Sequence, residues 1–145
     1  MPRSHLRRLA VRTLCSFTLM SLAGAASAGV EVFTIAGLPV TNAPENTPIV
    51  ELDAPARLDA QISQGLPGDP DQARQAMRER VSRPDWPEMK ARYQSAYTGL
   101  TRAWMLGIEK VPAVVVDGQY VVYGEPNVAR ALSTIDQAKR QEAGQ

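Results

Sequence analysis

The run GIEKVPAVVVDGQYVVYG, residues 107–124, limits the fold more than any other stretch of the chain. Pro112 has no backbone N–H to give to a ladder, so it belongs at the beginning of a strand, with Ala113–Val116 following. Asp117-Gly118 is a residue pair preferred in a type I′ turn, whose two central positions both need positive φ. Gln119–Tyr123 is therefore expected to return as the second strand of a hairpin. A hairpin alone is marginal in water, and the rest of the chain must supply the sheet and helices that cover it.

Upstream, VEVFTI (Val30–Ile35) alternates and carries β-branched and aromatic residues, which predicts a strand. A loop punctuated by Gly37, Pro39, Pro44 and Pro48 separates it from a short second strand, Ile49–Ala54. Pro55–Leu66 reads as a helix with Leu58 and Ile62 on one face. Asp69 is placed to cap, and Pro70 to begin, a helix to about Ser82, with Ala73, Ala76, Met77 and Val81 as a buried stripe. Two prolines at 84 and 87 open a longer helix from about Pro87 to Leu106. Its apolar face is Met89, Tyr93, Ala96, Tyr97, Leu100 and Trp104. A last helix, from Pro126 to about Lys139, aligns Val128, Ala131, Leu132 and Ile135.

The first 28 residues have a basic start, an apolar middle and an A-x-A exit at Ala26 and Ala28, the layout of a secretory signal peptide cut after Ala28. A spanning helix is disfavoured because Ser16, Thr18 and Ser21 interrupt an apolar run shorter than the roughly 20 residues a bilayer requires. Residues 29–145 are then expected to be one exported, periplasmic domain. With 44% hydrophobic and 21% charged residues the whole chain lies in the ordinary globular range. Cleavage removes four arginines and leaves twelve basic against fifteen acidic residues, a formal net of −3 in place of +1.

It also removes Cys15 and His5, the single cysteine and the single histidine. The trimmed chain would hold no thiolate for disulfide exchange or nucleophilic attack, and no imidazole for a Ser-His-Asp triad or a zinc site. Only oxygen ligands would remain, which suit calcium or magnesium. No phosphate-binding glycine loop and no EF-hand spacing is present. No catalytic residue, cofactor or metal site is therefore expected.

The segment from Gly107 to Val116 resembles the stretch around the cis-proline of thioredoxin-like proteins, where a Gly-Ile turn leads to Val or Ile, then proline, then an apolar strand. Across the trimmed chain, VEVFT, ELDAP, QGLPGDPDQAR, the 106–124 block and the NVARAL helix are similar in order and spacing to a small exported family of integrating conjugative elements. That family is encoded among the genes for conjugative type IV secretion. The resemblance implies a thioredoxin-like α/β fold, a central mixed sheet flanked by helices with an extra helical insertion. It also implies a cis peptide at Val111-Pro112. Where a redox thioredoxin carries Cys-x-x-Cys, this chain reads Ala36-Gly37-Leu38-Pro39-Val40.

Two readings of that region stay open. Pro112 is a purely structural turn, or Gly37, Leu38, Pro39 and Val40 together with Val111 line a groove for an extended peptide held through main-chain hydrogen bonds. The role implied is a non-catalytic accessory or structural component of the conjugative apparatus, with other apparatus proteins as partners. A periplasmic holdase and a glutathione-type small-molecule binder are the alternatives. The arginines at 74, 78, 80 and 83 are interrupted by acids in a net acidic chain, so a solvated helix face is expected rather than a nucleic-acid site. Membrane contact would come only through an uncleaved leader. The aromatic stripe Trp86, Tyr93, Tyr97 and Trp104 is expected in the core, with Trp86 its most exposed member.

Overall fold

The computed structural model describes residues 29–144; residues 1–28, read from the sequence as a signal peptide and holding Cys15 and His5, lie outside them. Eight elements follow in order: β1 (Val30–Thr34), β2 (Ile49–Glu51), α1 (Ala54–Ser63), α2 (Pro70–Val81), α3 (Trp86–Met105), β3 (Ala113–Val116), β4 (Tyr120–Tyr123) and α4 (Val128–Ala143). The strands form one mixed sheet in the order β2-β1-β3-β4. β1 runs parallel to β2 and antiparallel to β3, and β3 pairs antiparallel with β4.

The turn chemistry settles the hairpin. Asp117 and Gly118 have φ of 56° and 66°, as a type I′ turn requires. The turn is also tied to the start of β1, since the Gly29 amide donates to Asp117 Oδ1 at 3.1 Å and the Asp117 amide donates to the Gly29 carbonyl at 3.0 Å. Lys139 of α4 donates to the other carboxylate oxygen at 2.9 Å. One aspartate thus joins a hairpin, a central strand and a helix.

Side chains of the sheet sort by the two-residue period onto two faces. On one, Val32 and Val114 meet Val128 and Ala131 of α4, all four with no exposed surface. α4 begins where Asn127 accepts from the Arg130 amide. The rest of that face is closed by the connection between β1 and β2. Parallel neighbours need a crossover, usually a helix, yet residues 35–48 contain none, because prolines at 39, 44 and 48 deny it backbone donors. Instead Val40 and Ala43 pack against the α4 cluster. Thr41 donates to the Pro126 carbonyl and accepts from the Val128 amide, both at 2.9 Å, which straps the crossover to the start of α4.

On the opposite face, Phe33, Ala113 and Val115 pack against Ala103 of α3, with Val50, Leu106 and Val121 at the rim. Here the helix approaches closely through small residues: a methyl group added to Gly99 would sit 2.6 Å from Val50 Cγ1. Arg102 reinforces the contact with a forked pair to Glu31 of β1, at 3.0 and 2.7 Å, and that hydrogen bonding holds Arg102 above its ordinary pKa.

Two expectations about the helices are corrected. The inward face of α3 is Met89, Tyr93, Ala96, Gly99 and Ala103, so Leu100 and Trp104 lie toward solvent, Trp104 with 82% of its surface exposed, and Tyr97 stands at the rim beside Tyr93. Trp86, expected to be the open member of the stripe, is half-buried. The small residues let the backbone come near the sheet, and this rotates the bulky stripe away from it. Helix α2 buries no residue, so its stripe Ala73, Ala76, Met77 and Val81 is not a core face. Its Asp69 cap forms as expected, accepting from the Asp71 and Gln72 amides. Among the α2 arginines, Arg74 pairs with Asp71, and Arg80 donates to the Ile62 and Gln64 carbonyls. Arg80 thereby satisfies the last carbonyls of α1.

Candidate functional site

The residues singled out in the sequence converge at the end of the sheet where β1 finishes and β3 begins. Phe33 pairs with Ala113, so the same register carried one and two steps on sets Pro112 opposite Thr34 and Val111 opposite Ile35. The Val111-Pro112 peptide is cis. Pro112 is buried, and its carbonyl accepts from the Gly124 amide at 2.8 Å. Val111 is half-buried and packs on the Phe33 cluster.

Beside it, residues 35–38 make a tight turn closed by the Leu38 amide on the Ile35 carbonyl at 3.2 Å, with Gly37 at φ +80°. That conformation is disfavoured for a residue with a Cβ, which explains glycine at this point. The turn is pinned to the segment after β2 by the Ala36 amide, which donates to Asp53 Oδ1 at 3.0 Å. Leu38 is half-buried and Pro39 exposed, whereas Val40 is turned under α4 and serves the core. Of the four loop residues, Leu38 and Pro39 therefore form the surface, joined by Ile35, which is 40% exposed. Ile35 and the pin Asp53 were missed as site residues. The alternation of VEVFTI carried to its last residue was the signal for Ile35; Asp53 had none. Asp117 and Gly118 lie at the opposite end of β3 and belong to the turn, not to this surface.

The chemistry available there is narrow. The groups are main-chain amides and carbonyls, apolar side chains and the Thr34 hydroxyl, which is buried and lies 3.5 Å from the Ile35 and Leu38 carbonyls. Every buried side-chain nitrogen and oxygen among the described residues has a hydrogen-bond partner. Among the same residues no group of three or more His, Cys, Asp or Glu stands where it could hold a metal ion. No helix there is long and apolar enough to cross a membrane.

A second region lies along β2. A cleft of ≈ 590 Å³ opens between the strand, α1 and α3, with Arg57, Leu58, Arg92 and Ala96 on its walls. Arg57 is engaged with Glu51 and Asp53. Past the cleft, α1 is held to α3 by one carboxylate shared between two phenols: Tyr93 donates to Asp59 Oδ1 at 2.9 Å and Tyr97 to Oδ2 at 3.4 Å. The hydrogen bonds of Tyr93 to Tyr97 and to Asp59 raise its pKa above the ordinary phenol value.

Fold and surface together define a small mixed α/β domain, with one four-stranded sheet among the described residues, helices on both faces and a partly exposed apolar patch of Ile35, Leu38 and Pro39 at the sheet end. The chain belongs to the family described as "Protein of unknown function (DUF1525)", whose model matches residues 27–141. No curated protein and no solved structure matches it.

Proposed function

We propose that this protein is an exported, non-catalytic component of a conjugative type IV secretion apparatus, built on a thioredoxin-like domain and acting through protein–protein contact. The observation that carries this reading is the sheet end itself. A strand order of β2-β1-β3-β4, with a proline opening β3 beside the turn after β1, is the arrangement expected of that fold. Where thiol chemistry would be performed, the chain offers Ile35, Leu38, Pro39 and Val111, together with main-chain groups. Such a surface can hold an extended segment of a partner and has nothing with which to alter it. The assignment to conjugation rests on the sequence resemblance, and export rests on the leader.

The test is a donor strain deleted for the gene and complemented with wild type, Leu38→Asp or Val111→Asp. Transfer frequency should fall on deletion, return with wild type and stay low with either aspartate variant, while circular dichroism shows Leu38→Asp folded. Full transfer with both folded variants would refute the contact surface, and undiminished transfer on deletion would refute the role. Suppression of aggregation of an unrelated unfolded protein at stoichiometric ratio would favour the holdase alternative instead. A thermal shift with glutathione would favour the small-molecule binder.

A further inference from the structure

The free edge of β2 carries an inference separate from the sheet-end surface. In the parallel pair with β1, Val32 donates to the Pro48 carbonyl at 2.9 Å and Leu52 donates to the Thr34 carbonyl at 2.8 Å. With Val32 opposite Ile49 and Thr34 opposite Glu51, the ladder is served by residues 48, 50 and 52. The amides and carbonyls of Ile49 and Glu51 point the other way. β2 is an outer strand of the sheet, and among the described residues no main-chain partner faces those groups. Exposed edges of this kind are templates for a further strand. Natural edges are commonly blunted by shortness, by lysine or proline, or by a covering helix; β2 is short, at three residues, but it carries no lysine or proline, Ile49 is half exposed and the cleft of ≈ 590 Å³ runs beside the strand. That volume falls within the roughly 300–1,000 Å³ of ligand sites.

The charges of the cleft indicate what would fit. Arg57 is already neutralised by Glu51 and Asp53, but Arg92 has no ion-pair partner among the described residues. Leu58 and Ala96 supply apolar wall between them. The geometry points to a strand-addition site in which an extended segment of a partner protein pairs with Ile49 and Glu51 and sets alternate side chains, apolar and acidic, against Leu58 and Arg92. A second copy of this chain fits less well: symmetric pairing of two such edges would bring the arginine-lined clefts together.

The test uses the chain from residue 29 onward, with two fluorescent heptapeptides whose every second side chain faces the cleft: one reads Val-Thr-Glu-Thr-Val-Thr-Glu, and the other has lysine in place of both glutamates. The glutamate peptide should bind at least tenfold more tightly, and on binding the Ile49 and Glu51 amides should become slow to exchange with solvent. Arg92→Glu should reverse the preference between the peptides. Ile49→Pro, which removes an outward N–H and no ladder bond, should weaken binding at least tenfold. No binding of the glutamate peptide at millimolar concentration, or equal binding of both peptides, overturns the proposal. Unchanged exchange of the two amides in the bound state also overturns it. A concentration-dependent dimer lost in Ile49→Pro assigns the edge to a second copy and overturns it too.

Discussion

The two faces of the sheet are closed in different ways. The face under α4 is sealed by one helix and a proline-rich strap, and its central residues Val32, Val114, Val128 and Ala131 lose all contact with solvent. The face under α3 is sealed by a helix with small residues along its contact line, with Phe33 supplying the bulk. That helix is 20 residues long, and much of its apolar surface is left over, including Met105 at 70% exposure and Trp104. Burial of the first kind leaves few apolar groups outside. Burial of the second kind obtains close packing from glycine and alanine and leaves the large side chains on the outer surface of the domain.

If this contrast is right, truncations should rank by face. Phe33→Ala empties the centre of the α3 face and should cost about 3–5 kcal/mol in urea unfolding, the range for a buried aromatic. Val128→Ala, on the α4 face, removes two methyl groups from a site lined by several other small side chains, and about 2 kcal/mol is expected. An equal or larger loss at Val128 would mean that α4 carries the fold. Gly99→Ala sharpens the comparison further. Helix propensity favours alanine by about 1 kcal/mol, but overpacking against Val50 costs about 1–3 kcal/mol, so a net loss near 1 kcal/mol is expected. Val50→Ala in the same chain should suppress that loss, since it removes the methyl group that is struck.

The contact between the hairpin and α4 should respond to pH. The hydrogen bond from Lys139, then its charge and the Gly29 amide, hold the Asp117 carboxyl below its ordinary value, and the same contact raises Lys139. A lowered carboxyl pKa stabilises the fold above the unfolded value of about 3.9 and loses that contribution as pH falls through the folded one. A raised lysine contributes below about 10.4 and loses it as pH rises through its folded value. Lys139→Met should bring the Asp117 carboxyl back toward the ordinary range in a carbon-detected NMR titration. The smallest change is expected at Trp104→Ser, within about 0.5 kcal/mol of wild type because the ring packs on little. The same substitution should remove the red-shifted part of the tryptophan emission and leave that of Trp86.

Much of the fold was legible where the code is local. Asp117-Gly118 set the hairpin, Asp69-Pro70 the start of α2, and the alternation of VEVFT a strand whose Val32 and Phe33 separate onto the two faces. What was not legible depends on distance of approach. Periodicity identified α3 but weighted it by its large side chains, and the true contact line of Ala96, Gly99 and Ala103 is marked by small ones. Periodicity also gave α2 a stripe without saying whether any element lies against it. At the candidate surface, Val40 shows the same limit: its place in the loop predicted exposure to a ligand, while the strap at Thr41 turns it inward.

The strap and the Asp117 junction have a consequence for the order in which the chain can assemble. Both tie residues near position 30 or 40 to residues beyond 115, across the whole helical excursion of α1 to α3. A chain emerging amino end first from a ribosome or a translocation pore would present β1 and β2 long before β3 exists to sit beside them. The sheet can therefore close only late, on a nearly complete polypeptide, and β1 must wait with its hydrogen-bonding side open until then.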